Sequence, residues 1–254
     1  MLNKNILVVG GAGYLGSAIL RQLSRKSAIY LASVQRHNPS TDKAVLGVDY
    51  VQANVFDTDK YKEKVKDADV VIHSMGVLID STITKGAKQG DDGTYEKVNY
   101  ESAKVVADLA NSFDDKKRKF IYISANMHLP FIPRYLDTKF KAEEYARELS
   151  NLIALAVRPG LIIDSKERPI TMPLGQLVNF GNCVNNTSLF QSLKRIKYLG
   201  DFMQNFEVGK SIEREDLSKA IAFLALSNDI DQLRIFKHNE IMEASKRYNQ
   251  LLNE

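Results

Sequence analysis

The sequence predicts an α/β protein built on a doubly wound parallel sheet, with a smaller C-terminal lobe. Three observations carry that prediction. Strand-like apolar runs alternate with helical patterns over residues 5–160. Several of those runs are almost continuously apolar and β-forming, as expected of strands covered on both faces. A glycine-rich turn joins the first run to the first helical pattern.

Taken in order, NILVVG (5–10) reads as the first strand and 14–25 as the first helix. IYLASV (29–34), YVQANVF (50–56), DVVIHSMG (69–76), KFIYIS (119–124) and IALAVRP (153–159) read as further strands. Between them, Val98, Val105, Val106, Leu109, Ala110 and Phe113 recur at helical spacing. Leu217, Ala220, Ile221, Leu224 and Ala225 do so again near the C-terminus. The alternation weakens after Arg158-Pro159-Gly160, and five of the six prolines fall within residues 130–173. That is where an open α/β sheet sends the chain off its carboxyl edge to build a pocket. The reading places one unit at residues 1–164 and a C-terminal lobe, partly packed back on it, at 165–254.

Composition excludes several classes. The 254 residues are 44% hydrophobic and 26% charged, enough for a packed core, and the net charge of +4 is mild and spread out. No basic arm or nucleic-acid signature is present. Cys183 is the single cysteine, so no intrachain disulfide forms, and no Cys/His cluster has metal-ligand spacing. The longest uncharged run, residues 170–193, contains four Asn, two Gln and two Gly, which argues against a membrane-spanning helix. The first apolar run is read as a strand and not as a signal peptide. The acid-poor N-terminal region with Arg21, Arg25 and Arg36 has transit-peptide composition but is needed to complete the first strand–helix–strand unit.

VVGGAGYLG sets Gly10, Gly13 and Gly16 between strand and helix, with Tyr14 and Leu15 opening the helix. Such glycines let the backbone turn tightly and approach a pyrophosphate at the positive helix N-terminus, the Rossmann arrangement. The second strand then ends near the adenosine ribose, where NAD proteins place a carboxylate about 20 residues past the glycines. No Asp or Glu occurs before Asp42; the sequence there is SVQRHN, with Ser33, Gln35 and Arg36. A guanidinium suits a 2′-phosphate, so NADP(H) is favoured over NAD(H).

The motif YISANMHLPFIPRYLDTK (122–139) ends in Tyr135-x-x-x-Lys139. Residues four apart share a helical face, so a phenol and an ammonium can be brought to one site. Tyr100-x-x-x-Lys104 has the same spacing but precedes KFIYIS, whereas Tyr135 follows it.

Together, the glycine turn, the alternation, Tyr135/Lys139 and RPG (158–160) resemble the short-chain dehydrogenase/reductase superfamily, well over residues 5–165 and loosely beyond. DVVIHSMGVL, FIYISA, FIPRYLDTKFKAEEYAR and LAVRPGLIID are most similar to an atypical branch. That branch holds the nucleotide-binding accessory subunit of respiratory complex I and, more similar still, a fungal mitochondrial protein associated with coenzyme Q biosynthesis. The resemblance implies that Tyr135 is the proton donor, and that Lys139 holds the nicotinamide ribose and lowers the phenol pKa. It aligns the usual substrate-binding Ser/Thr with Ala125, a departure, flanked by Ser124 and Asn126. Adjacent strand residues face opposite sides, so a neighbour cannot simply substitute without a bulge, and Asn126 supplies a different donor only if the strand ends there. Losing one such donor costs about 3–4 kcal/mol of transition-state stabilisation.

The same resemblance implies cofactor contacts from Asn54 and Val55 near adenine, from Ser74, Met75 and Gly76 after the fourth strand, from Asn99 as a brace, and from Ser124, Pro159 and Gly160. His73 is read as structural. It further implies an inner-membrane, matrix-side mitochondrial location, other coenzyme Q biosynthesis proteins as partners, and a polyprenyl quinone intermediate as ligand. Within 165–210, Leu189, Phe190, Leu193, Ile196 and Leu199 lie near Lys194, Arg195 and Lys197. This segment reads either as a cap over the pocket or as a membrane-surface contact. Two readings of function stay open: an NADP(H)-dependent oxidoreductase, or a dinucleotide-binding accessory protein without chemistry.

Overall fold

The structure, a computed structural model, describes residues 4–26, 29–126, 133–167, 209–228 and 234–253. Its main sheet contains β1 (Lys4–Val9), β2 (Ile29–Gln35), β3 (Val48–Gln52), β4 (Val70–His73), β5 (Arg118–Ile123), β6 (Leu152–Val157) and β9 (Arg234–Phe236). The order is β3-β2-β1-β4-β5-β6-β9, and every pairing is parallel. Outside it, β7 (Ile162–Ile163) pairs with β8 (Ile212–Glu213). The doubly wound parallel sheet is therefore present, and the order reverses between β1 and β4. That crevice is where such sheets bind ligands.

Strand side chains alternate between two cores. Ile6 and Val8 of β1 join one core while Leu7 and Val9 join the other, and Ile121/Ile123 against Phe120/Tyr122 repeat the split in β5. The first core is covered by α1 (Tyr14–Leu23), α6 (Arg214–Leu226) and α7 (His238–Asn253) through Ile19, Leu23, Leu217, Ile221, Ile241 and Tyr248. The second is covered by α2 (Lys62–Asp67), α4 (Ser102–Asn111) and α5 (Pro133–Glu148) through Val65, Val106, Ala110, Ala142 and Ala146. The short α3 (Ser81–Lys85) follows β4, capped by the Asp80 carboxylate, which accepts the Thr82 amide. Full burial of aliphatic side chains such as those in the two cores is worth about 1.5–3 kcal/mol each. Near-continuous apolar strands follow from this two-sided covering.

The sequence reading differs from the structure at two places. The helical stretch at 98–113 begins as a π-helical turn (Glu96–Glu101) before α4, a geometry that recurs at functional sites. The alternation also resumes after residue 209. There α6 packs on α1, β9 extends the sheet beside β6, and α7 packs on α6. β9 has only three residues, too short to show a period. Two lysines fix this C-terminal part by donating to carbonyls at the end of α6. Lys119 Nζ reaches Leu224 (2.9 Å) and Ser227 (2.6 Å), and Lys4 Nζ reaches Leu226 (2.7 Å). Cations there complement the helix dipole.

Among the described residues, no helix is long and apolar enough to cross a membrane. Cys183 and the segment 168–208, which carries the cap and membrane-surface expectations, lie outside the described residues.

Candidate functional site

A cleft of about 650 Å³ opens at the carboxyl ends of β1, β4 and β5. On its phosphate side lie Gly10, Gly13, Tyr14 and Leu15. Gly10 has φ +88°, a left-handed conformation that glycine adopts without strain, and a Cβ there would stand 2.9 Å from Met75 Cγ. Gly16 lies beneath the cleft, where a Cβ would meet the Gly10 carbonyl oxygen at 2.2 Å, so α1 can approach the turn only because residue 16 has no side chain. Gly13 is the N-cap, no side chain caps the helix, and its first turn holds no acid. The N-terminal turn of such a helix is an anion-binding end.

Ser74, Met75 and Gly76 line it after β4, Ser74 and Met75 lying against Gly10, and Pro159 and Gly160 line it together with Leu161 and Ile162. Ser74 Oγ donates to the Val9 carbonyl at 2.9 Å, tying β4's exit to β1. Ser124, Tyr135 and Lys139 line the remaining wall. Twelve expected residues thus share one cavity. Gly16 supports it from below, and Asn99 braces it. Asn99 Oδ1 accepts from the Val77 amide at 3.1 Å, and its carbonyl accepts from Tyr122 OH at 2.7 Å.

Besides Gly16 and Asn99, four expected residues are outside the lining. Gln35 is buried, its amide donating to Asn38 Oδ1 (2.9 Å) and the Val51 carbonyl (3.2 Å). Arg36 follows β2 and is exposed. Asn54 is exposed and accepts from the Phe56 amide, while Val55 is buried in the second core. His73, read as structural, is fully buried. Ser102 Oγ donates to the Val98 carbonyl (2.6 Å), so His73 Nε2–H must donate to Ser102 Oγ (2.9 Å), and burial pushes the imidazole down to about 3. It is a neutral packing group.

The charge state of the pair departs from the expectation. Lys139 is 3% exposed and donates to the Ile123 carbonyl at 2.9 Å. Burial pulls its ammonium down to about 7, against an opposing pull from Glu143, which Arg158 binds through two nitrogens at 2.6–3.1 Å. Burial pushes the Tyr135 phenol up to about 12, with Tyr95, edge-on at 5.6 Å, adding to it. The phenol is therefore raised, not lowered, because its own burial disfavours the phenolate.

The expectation that residues 124–126 alternate in direction is also corrected. β5 ends at Ile123, and Ser124 and Ala125 both line the cleft beyond it. Asn126 is anchored through its backbone: its main-chain N–H donates to the Pro159 carbonyl (2.7 Å) and its main-chain carbonyl accepts from the Gly209 amide (2.8 Å). Ser124 Oγ and Asn99 Nδ2 are buried polar atoms with no hydrogen-bond partner among the described residues. Such atoms beside a cleft fit a polar ligand. The sequence did not single out Val77, Leu78, Leu161 and Ile162 in the apolar lining, since apolar residues after strands carry no motif, and Val98 was read only as a helix-face residue.

Lys139 makes pH a probe. Its ordinary value is 10.5 and its folded value about 7. Between these values the unfolded chain holds a proton that the folded chain lacks, so this group makes stability rise with pH from about 7 to 10.5. Below about 7 its burial cost is fully present. Lys139→Met should flatten that rise in denaturant titrations across the window, and an unchanged slope would show that the amine is not desolvated.

Glycine turn, anion-binding helix end, cleft at the reversal point and orphaned polar atoms define a dinucleotide-binding α/β protein. A family model described as NAD(P)H-binding matches residues 10–181, and the chain belongs to that family. It is 29% identical over 208 residues to MIOREX complex component 2 of Saccharomyces cerevisiae, spanning 65% of this chain and 75% of that protein. Among solved structures, UDP-glucuronic acid 4-epimerase of Bacillus cereus with UDP-glucuronic acid and NAD aligns at a TM-score of 0.60 and 16% identity. That alignment covers 91% of this chain and 76% of the epimerase. UDP-glucose 4-epimerase of Thermus thermophilus with NAD aligns at a TM-score of 0.59 and 14% identity, over 98% of this chain and 83% of that one. These likenesses show the fold.

Proposed function

We propose that the chain is an NADP(H)-dependent oxidoreductase of the short-chain dehydrogenase/reductase type, with a modified active site, acting on a coenzyme Q intermediate at the matrix side of the mitochondrial inner membrane. The observation that carries it is the convergence of Tyr135 and Lys139 on the cleft that the glycine turn opens. The dinucleotide supplies or accepts a hydride when bound. Tyr135 is the proton donor to the substrate oxygen. Lys139 lies 2.9 Å from where a Gly76 Cβ would be and is placed for a ribose hydroxyl. Residues 1–164 are the nucleotide-binding part, and 165–254 form a C-terminal lobe that packs partly back on it. The pathway, the location and partnership with other coenzyme Q biosynthesis proteins rest on the resemblance described above. A yeast relative named as a component of a complex supports an assembly-associated role.

One observation favours a second reading, an accessory subunit that binds dinucleotide without chemistry. Ala125 occupies the cleft wall where the superfamily has a hydroxyl donor.

Preference for NADP(H) rests on exposed Arg36 after β2 and the lack of an acid before Asp42. NADPH should bind more tightly than NADH, and Arg36→Ala should narrow the gap. Equal affinities in wild-type titrations would remove this preference. The pathway is tested by deleting the gene for this chain: coenzyme Q should fall and return with the wild-type chain. Unchanged coenzyme Q in the deletion would overturn the assignment.

A further inference from the structure

We infer that residues 209–214 form a strap holding both halves of the cleft in register, and that Arg214 is a positioning residue for the dinucleotide's phosphates. The inference rests on the dinucleotide-binding reading of the cleft. At one end of the strap, Gly209 donates its amide to the Asn126 carbonyl (2.8 Å), just past β5. Gly160 of the cleft wall packs directly on this segment. A Cβ there would stand 2.3 Å from the Lys210 carbonyl oxygen and 2.4 Å from that of Gly209. Midway, the Ile212 amide donates to the Leu161 carbonyl (2.9 Å), and β8 pairs with β7. At the other end, Arg214 opens α6 and meets Tyr14, the first residue of α1.

That last junction is built from three kinds of contact. Arg214 Nη1 donates to the Tyr14 carbonyl at 3.2 Å, and the guanidinium lies over the Tyr14 ring at 4.6 Å. Arg214 Nε pairs with Asp164 at 2.9 Å, both side chains being almost wholly buried, and Nη2 reaches Glu167 at 2.6 Å. Asp164 accepts the amides of Lys166 (3.0 Å) and Glu167 (2.8 Å), and Tyr14 also bonds to its carboxylate. A planar guanidinium can serve carboxylate, carbonyl and ring at once, which an ammonium cannot.

Tyr14 is thus fixed by Arg214 and Asp164 at the start of the helix whose first residues line the cleft. The strap carries that constraint across Leu161 to the end of β5. Removing one partner of a buried ion pair leaves a charge without compensation, so the turn should shift and its amides should lose their aim at a diphosphate.

The test uses the full chain with Asp164→Asn, which keeps shape and an acceptor for the amides, and Arg214→Lys, which keeps charge without the fork. The probes are whichever of NADPH and NADH binds tighter, and the matching adenosine monophosphate, which has no diphosphate bridge. Both variants should lose tenfold or more in dinucleotide affinity while the monophosphate changes less than about twofold. Equal losses for both probes would reduce the pair to a general structural role, and unchanged dinucleotide affinity with a wild-type melting point would overturn the proposal outright. Should the wild-type chain bind neither dinucleotide, the underlying reading fails first, a result distinct from either variant outcome.

Discussion

Gly16→Ala should cost the protein both its cofactor and part of its fold. The added methyl would be 2.2 Å from the Gly10 carbonyl oxygen and 2.7 Å from Gly11 Cα. These are backbone atoms of a turn already fixed by the Gly10 amide on the Val34 carbonyl at 2.8 Å and the Gly13 amide on the Gly10 carbonyl at 2.9 Å. No side chain can swing away, so α1 must back off the turn. Overpacking of this kind costs roughly 1–3 kcal/mol, and a backbone collision belongs at the upper end. At about 2–4 °C per kcal/mol for a chain of this size, the melting temperature should fall by about 6–12 °C. Saturable dinucleotide binding should disappear with it, along with the stabilisation of about 2.7 kcal/mol that a ligand at a hundred times its dissociation constant provides. Gly47→Ala is the contrast. Gly47 has φ +78° but nothing within 4 Å of an added Cβ. It should lose only about 1 kcal/mol to backbone strain and keep binding intact. A Gly16→Ala protein with wild-type melting and binding would mean that α1 does not pack on the turn as described.

The glycine turn was legible because its requirement is local: strand, three glycines and helix lie within a short run of consecutive residues. Strand identity was legible for the same reason, since two-sided burial writes itself as unbroken apolar runs such as ILVV. The C-terminal contribution was not. β9 has three residues, and its partner β6 lies far upstream in sequence, so register there is decided by packing alone. The Arg214–Asp164–Tyr14 junction was equally invisible, because Arg214 and Tyr14 are 200 positions apart and no spacing rule reaches that far. The same limit explains the charge state of Tyr135 and Lys139. Four-residue spacing correctly puts both on the cleft, but the sign of a pKa shift depends on how much water the fold removes. Ser124 and Ala125 were misplaced for a different reason. Strand alternation holds only while the strand continues, and β5 stops at Ile123, where the chain turns.

Tyr135→Phe separates chemistry from binding most sharply. The substitution removes one hydroxyl and almost no volume, and it keeps the ring edge-on to Tyr95 at 5.6 Å, so the protein should fold and hold dinucleotide as before. If the phenol delivers the proton, turnover should drop by about 10²–10⁴-fold, the range for a positioned general acid. Burial holds the phenol at about 12 and the lysine at about 7. A phenol that high stays protonated at neutral pH, which is the form that a reductase requires of its acid. Tyr100→Phe is the internal control. Tyr100 belongs to the π-helical turn before α4 and packs edge-on against Tyr145 at 6.4 Å, away from the cleft lining. It should change turnover little. In cells lacking the native gene, the enzymatic reading requires that Tyr135→Phe fail to restore coenzyme Q at wild-type protein level while Tyr100→Phe restores it. If Tyr135→Phe restores coenzyme Q fully and Gly13→Val does not, dinucleotide binding alone is the function, and Ala125 in the cleft wall marks a site that has given up catalysis.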